Sequence, residues 1–135
     1  MNLRGDRIAL RARALVGARF RPQGRDPGLG LDCVGAAAAA AEVPARRLRC
    51  DYALRGQHLA AIENELRGLG CRQVAVEQAA AGDLIVCAAG PAQFHIVIRA
   101  WDSFVHADAA LRRVVERPLP LPWPVAGAWR FSEGG

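Results

Sequence analysis

Three side chains in this sequence have the types and surroundings that nucleophilic chemistry needs: Cys33, His95 and His106. Cys33 stands where a loop punctuated by Gly24, Gly28 and Gly30 becomes the strongly helix-forming run CVGAAAAAAEV. The first turn of a helix leaves backbone N–H groups unpaired and carries positive partial charge. A thiol placed there has its thiolate stabilised, which lowers its pKa and raises its reactivity at neutral pH. The same N–H groups can hold the oxyanion formed when a thiolate attacks a carbonyl. Asp32 is placed to cap this helix. A purely packing role is the competing reading for a cysteine in such a position.

His95 lies in the alternating run FHIVIR, where Phe94, Ile96 and Ile98 point one way and His95 and Val97 the other. His106 lies in the next β-type run, SFVHAD. Adjacent antiparallel strands can set the two imidazoles side by side on one sheet face. The helix carrying Cys33 must cover a sheet face, and the histidines are expected on that face. Thiol, imidazole and a third group that orients the imidazole form a nucleophile–base–orienter set. In it, His106 accepts a hydrogen bond from the ring nitrogen that His95 turns away from sulfur. Two unrelated half-buried histidines fit the same pattern.

The other candidates are weaker. His58, in RGQHL, reads as a solvated surface residue. Cys50, Cys71 and Cys87 read as small buried hydrophobes, Cys87 inside the apolar run Leu84 to Ala88. No C-x-x-C pair, phosphate-binding loop, dinucleotide fingerprint or H-E-x-x-H motif occurs, so no metal or cofactor is expected.

The elements that must position these residues follow from periodicity. Asp6 can cap a first helix reaching about Gly17, with Ile8, Ala12, Leu15 and Val16 on one face. The helix beginning at Cys33 should end before Pro44, and a third should run from about Gln57 to Leu69, closed by Gly70. The stretch between them is basic and irregular. Beyond Gly70 the period becomes strand-like, at Gln73–Val76, Leu84–Ala88, Phe94–Ala100, Ser103–Ala107, Arg112–Arg117 and Ala128–Phe131. Helices first and strands afterwards, with short links, predict an α+β fold: N-terminal helices packed on an antiparallel sheet of about five to six strands.

At 135 residues, one domain over 1–135 is expected, and 52% hydrophobic against 23% charged residues describes a globular chain. The formal charge of +5 comes entirely from arginine and favours encounters with anionic partners. Because the arginines are spread from Arg4 to Arg130 and form no stripe, a nucleic-acid partner is not expected. No apolar run approaches the roughly 20 residues of a membrane span. The five arginines within the first 20 residues interrupt any secretory h-region, so synthesis in the cytoplasm without a signal peptide is expected.

The ordered set ARALVGARFRPQG, GLGLDCVG, AAGDLIV, FHIVI and SFVHAD resembles the NlpC family of bacterial cell-wall cysteine peptidases. The nearest likeness is to the branch found in phage tails and gene transfer agents, and it extends from the first helix to the closing AWRF. The resemblance implies a papain-like α+β core. Through D-C-V-G it implies Cys33 as nucleophile, through the strand after G-D it implies His95 as base, and through F-V-H-A it implies His106 as orienter. Asp32 and Val34, flanking the cysteine, fall among the implied substrate-binding positions. The implied reaction is hydrolysis of an amide in peptidoglycan stem peptides, typically beside D-glutamate. Partner tail proteins, and a virion that carries the chain to the periplasm, are implied as well. Many family members have serine where Val34 stands, and a tyrosine ahead of the cysteine where this chain has Phe20, Arg21 and Pro22. Those departures bear on substrate choice. A structural tail component keeping the fold, or a hydrolase of another acyl group, are the alternatives.

Overall fold

The computed structural model describes residues 3–22, 24–28, 30–44, 59–90 and 93–132. Helix α1 spans Leu3–Ala14 and buries Ile8, Ala9 and Ala12. Asp6, expected as its cap, lies inside the first turn, while Arg11 and Arg13 occupy the last, so both ends complement the helix dipole. The helix ends at Ala14, three residues short of the expected stop, and Gly17 then turns the chain with φ of 96°. The glycine-rich loop is more ordered than its composition predicts. It forms a small antiparallel pair, β1 (Arg25–Asp26) with β2 (Gly30–Leu31).

Helix α2, Cys33–Ala41, follows directly. Eight of its nine residues are buried, which only a nearly all-alanine helix could achieve while lying close against neighbours on several sides. It packs on α1 and on strands β5 and β6, given below. The start of α2 also lies so close to the preceding loop that a Cβ on Gly35 would sit 2.0 Å from the Gly24 carbonyl oxygen. Glu42, at φ 58°, closes the helix with its N–H on the Ala38 and Ala39 carbonyls, two residues before Pro44. Helix α3 spans Leu59–Gly68 and buries Ile62 and Leu66.

Six strands follow: β3 Cys71–Val74, β4 Leu84–Gly90, β5 Gln93–Arg99, β6 Ser103–Asp108, β7 Arg113–Pro118 and β8 Val125–Phe131. They form one antiparallel sheet in the order β3-β8-β4-β5-β6-β7, so the last strand inserts between the first two. The α+β architecture expected from the sequence is therefore the one observed. β8 begins three residues before the expected Ala128, its added length pairing Val125 with Cys87 across a register shift in β4.

The two faces of the sheet differ. Leu84, Val86, Ile96, Ile98, Val105, Ala107, Val114 and Trp129 join the buried residues of α1, α2 and α3 in one apolar core. The opposite face carries Ile85, Cys87, Val97, Phe104 and Ala128, covered by Leu119, Leu121 and Trp123 from the segment linking β7 to β8.

Candidate active site

Antiparallel pairing between β5 and β6 is confined to two positions, Ile98 with Val105 and Arg99 with Phe104. Beyond them the ladder stops, and among the described residues the His95 end of β5 is paired only with β4, where His95 faces Cys87. Freed from strict register, the two histidines meet diagonally: His95 Nε2 lies 2.8 Å from His106 Nδ1, and the rings stand edge to face at 82°. The bond occupies one nitrogen on each ring. On His95 it leaves Nδ1 for another partner.

Trp123 closes over the pair, its ring 5.2 Å from His95 and 5.4 Å from His106. Phe104 lies 5.3 Å from His106, and the exposed guanidinium of Arg117 stands over both Phe104 and Trp123. This apolar cover sets the protonation state. Burial pulls His95 down to about 4, helped by the neighbouring His106 and opposed by Asp108. Burial also lowers His106, with Asp108 opposing and Arg117 reinforcing. At neutral pH both imidazoles are therefore uncharged.

Cys33 is the first residue of α2, 6% exposed, and belongs to the apolar core shared with Ile96, Ile98, Val105 and Ala107 of β5 and β6. The expectation that the histidines occupy the helix-covered face needs correction. Pleat alternation assigns that face to those four apolar residues, and His95 and His106 stand on the pleat of Val97 and Phe104. Asp32 is the N-cap of α2, its Oδ1 accepting the Gly35 N–H at 2.8 Å. Val34 is 2% exposed and packs in the core. Cys50 and His58 lie outside the described residues. Cys71 and Cys87 are buried thiols, each pushed up to about 12 by burial. Among the described residues no group of three or more histidine, cysteine or acidic side chains could hold a metal ion, and no helix is long and apolar enough to cross a membrane.

Two contributors were missed in the sequence. Trp123 sits in a proline-rich stretch, PLPLPWPV, that carries no periodic signal. Asp108, two residues after His106 on the same strand, was legible in principle, since residues i and i+2 share a face.

The chain matches no known family profile and no curated relative. Solved structures are informative. The fold aligns with that of NlpC2 from Trichomonas vaginalis at a TM-score of 0.69 and 17% identity, covering 95% of this chain and 47% of that one. It aligns with the NlpC/p60 domain of the peptidoglycan hydrolase SagA at 0.62 and 21%, covering 92% and 96%. With the P60 domain of an antigen from M. avium subspecies paratuberculosis the values are 0.60 and 16%, covering 95% and 93%.

The fold is that of the NlpC/P60 domain. This chain spans about half of the Trichomonas protein and nearly the whole of the two isolated NlpC/P60 domains. The likeness covers more than nine tenths of this chain in each case.

Proposed function

We propose that this chain is a cysteine amidase or endopeptidase acting on peptidoglycan stem peptides, with Cys33 as nucleophile, His95 as base and His106 as orienter. The observation that carries the reading is the His95–His106 bond, which leaves Nδ1 of an uncharged His95 outside the pair, a proton acceptor in the tautomer whose Nε2 carries the shared proton. Cys33 heads the helix that packs on the same two strands, and their pairing stops short of His95, which opens the sheet there. We infer that its sulfur meets His95 Nδ1 at this opening.

The chemistry follows from those roles. Cys33 Sγ attacks the amide carbonyl carbon while its proton passes to His95 Nδ1, and the His95 Nε2–H donates to His106 Nδ1 throughout. The oxyanion takes N–H groups of the first turn of α2. Collapse of the intermediate breaks the C–N bond, and His95 returns the proton to the leaving amine. Water then attacks the thioester, giving its proton to His95, and releases a carboxylic acid and the Cys33 thiol. The peptidoglycan substrate is supported by the SagA domain, a peptidoglycan hydrolase, and by the ordered motifs of the sequence. Those motifs also support a phage-tail or gene-transfer-agent setting, with delivery to the periplasm by the virion. Detection of the chain in purified particles tests that setting.

The deciding experiment incubates the protein with Gram-negative peptidoglycan and reads released fragments by mass spectrometry, with Cys33→Ala and His95→Gln as controls. Fragments from the wild type alone support the reading and identify the bond. Iodoacetamide alkylation of Cys33 should slow in His95→Gln; unchanged alkylation would sever the proposed contact.

A further inference from the structure

His106 is 2% exposed, yet its Nε2 is buried with no hydrogen-bond partner among the described residues. A buried, unsatisfied ring nitrogen is costly and calls for a reason. The nearest charge is Asp108 Oδ2, at 4.0 Å, too far for a hydrogen bond and close enough for a strong Coulomb interaction at a covered site. Asp108 is itself held in place. Its Oδ1 accepts the N–H groups of Ala110 and Leu111 at 2.9 and 3.0 Å, which leaves Oδ2 turned to the histidine.

The two neutral rings share one hydrogen-bond proton, so their tautomers are linked. If His95 Nε2 carries it, His106 must be protonated at Nε2 and His95 Nδ1 has a lone pair. If His106 Nδ1 carries it, His95 must be protonated at Nδ1 and cannot accept a proton from a thiol. A carboxylate 4.0 Å from His106 Nε2 favours an N–H there and disfavours a lone pair. Arg117, whose charge opposes protonation of this ring, stands over the rings of Phe104 and Trp123. We propose that Asp108 is a positioning residue: through His106 it selects the tautomer that leaves His95 Nδ1 free to act as base. The proposal rests on the base role assigned to His95, but its physical content, the choice of tautomer, is measurable without any turnover. Asp108 also favours the imidazolium that forms on His95 when the proton arrives.

The test is Asp108→Asn in the full chain. Asparagine keeps the Oδ1 acceptor for Ala110 and Leu111, so the turn survives, and it presents an NH2 donor where the carboxylate stood. Long-range 1H–15N NMR at neutral pH should show His106 protonated at Nε2 in the wild type and at Nδ1 in the variant, with His95 following. Where hydrolysis is measured, kcat should fall roughly 10- to 100-fold with little change in KM. Wild-type tautomers retained in Asp108→Asn, or a wild-type His106 protonated at Nδ1, overturn the proposal. The expected tautomer reversal in a protein that never cleaves peptidoglycan upholds it and counts against the hydrolase reading alone.

Discussion

Asp83 and His106 are two of the most buried polar side chains described, at 0% and 2% exposure, and they are treated in opposite ways. Asp83 is saturated. Arg130 donates to its Oδ1 and Oδ2 through Nε and Nη2, both at 2.9 Å, and the Ala80 N–H adds a third bond at 2.8 Å. This cluster ties the turn before β4 to β8, and the carboxylate in turn holds the Arg130 guanidinium firmly charged. The histidine cluster keeps an open valence at each end: Nδ1 on His95, and Nε2 on His106 facing a carboxylate just out of bonding reach. A saturated buried network resists change of charge, whereas an incompletely satisfied one can take up and return a proton. The first suits a role in stability, and the second suits the proton transfer proposed above.

The sharpest way to break this contrast is to remove the proposed nucleophile. Cys33→Ala should lower kcat on peptidoglycan on the order of 10⁴-fold or more. Its denaturation midpoint should shift little, because the change deletes one sulfur from an alanine-rich helix. Asp83→Ala should do the reverse, costing about 3 kcal/mol of stability in urea titration. That lies at the lower end for a broken buried pair, because Arg130 is 23% exposed and can rehydrate. Equal losses of stability in both variants would erase the distinction.

Protonation gives a smaller effect with a definite sign. His95 titrates near 4 in the folded chain and near 6.5 when unfolded, so between those values the unfolded state binds more protons. Stability contributed by neutral His95 is therefore complete above about pH 6.5 and lost as pH falls toward 4, by up to roughly 3 kcal/mol. His95→Gln should flatten this stretch of the stability profile, and a profile unchanged by that substitution would contradict the burial of the ring. By the same protonation, hydrolysis should persist in mildly acidic buffer and fail only as pH approaches about 4. The smallest effect concerns the spare thiols. Cys71 and Cys87, pushed up to about 12, should resist iodoacetamide at neutral pH in the native protein and react once it is unfolded.

Much of this was legible without coordinates, wherever the determinant was local. Asp32 followed by C-V-G-A-A-A marks a capped helix start, because the cap and the helix it begins are neighbours in sequence. Alternation in FHIVIR and SFVHAD places His95 with Val97 and His106 with Phe104, because side chains on a strand point alternately to its two faces. Those local rules sufficed for the α+β class, the helix start at Cys33 and the strands that carry the histidines.

Alternation could not decide which face the helices would cover. That depended on matching whole surfaces, and the smooth alanine face of α2 went to the aliphatic side. Nor could periodicity show that β5 and β6 pair at only two positions, the separation that lets His95 meet His106 diagonally. Val34 turned inward for the same kind of reason, since burial is a property of what surrounds a residue and not of its neighbours in sequence. Trp123 reaches the histidines from a proline-rich link, and Asp108 turns one oxygen to His106 because the other is held by a turn. Sequence determined the residue types and local directions of this site; only the folded arrangement decided which groups meet, which are buried and which nitrogen is left open.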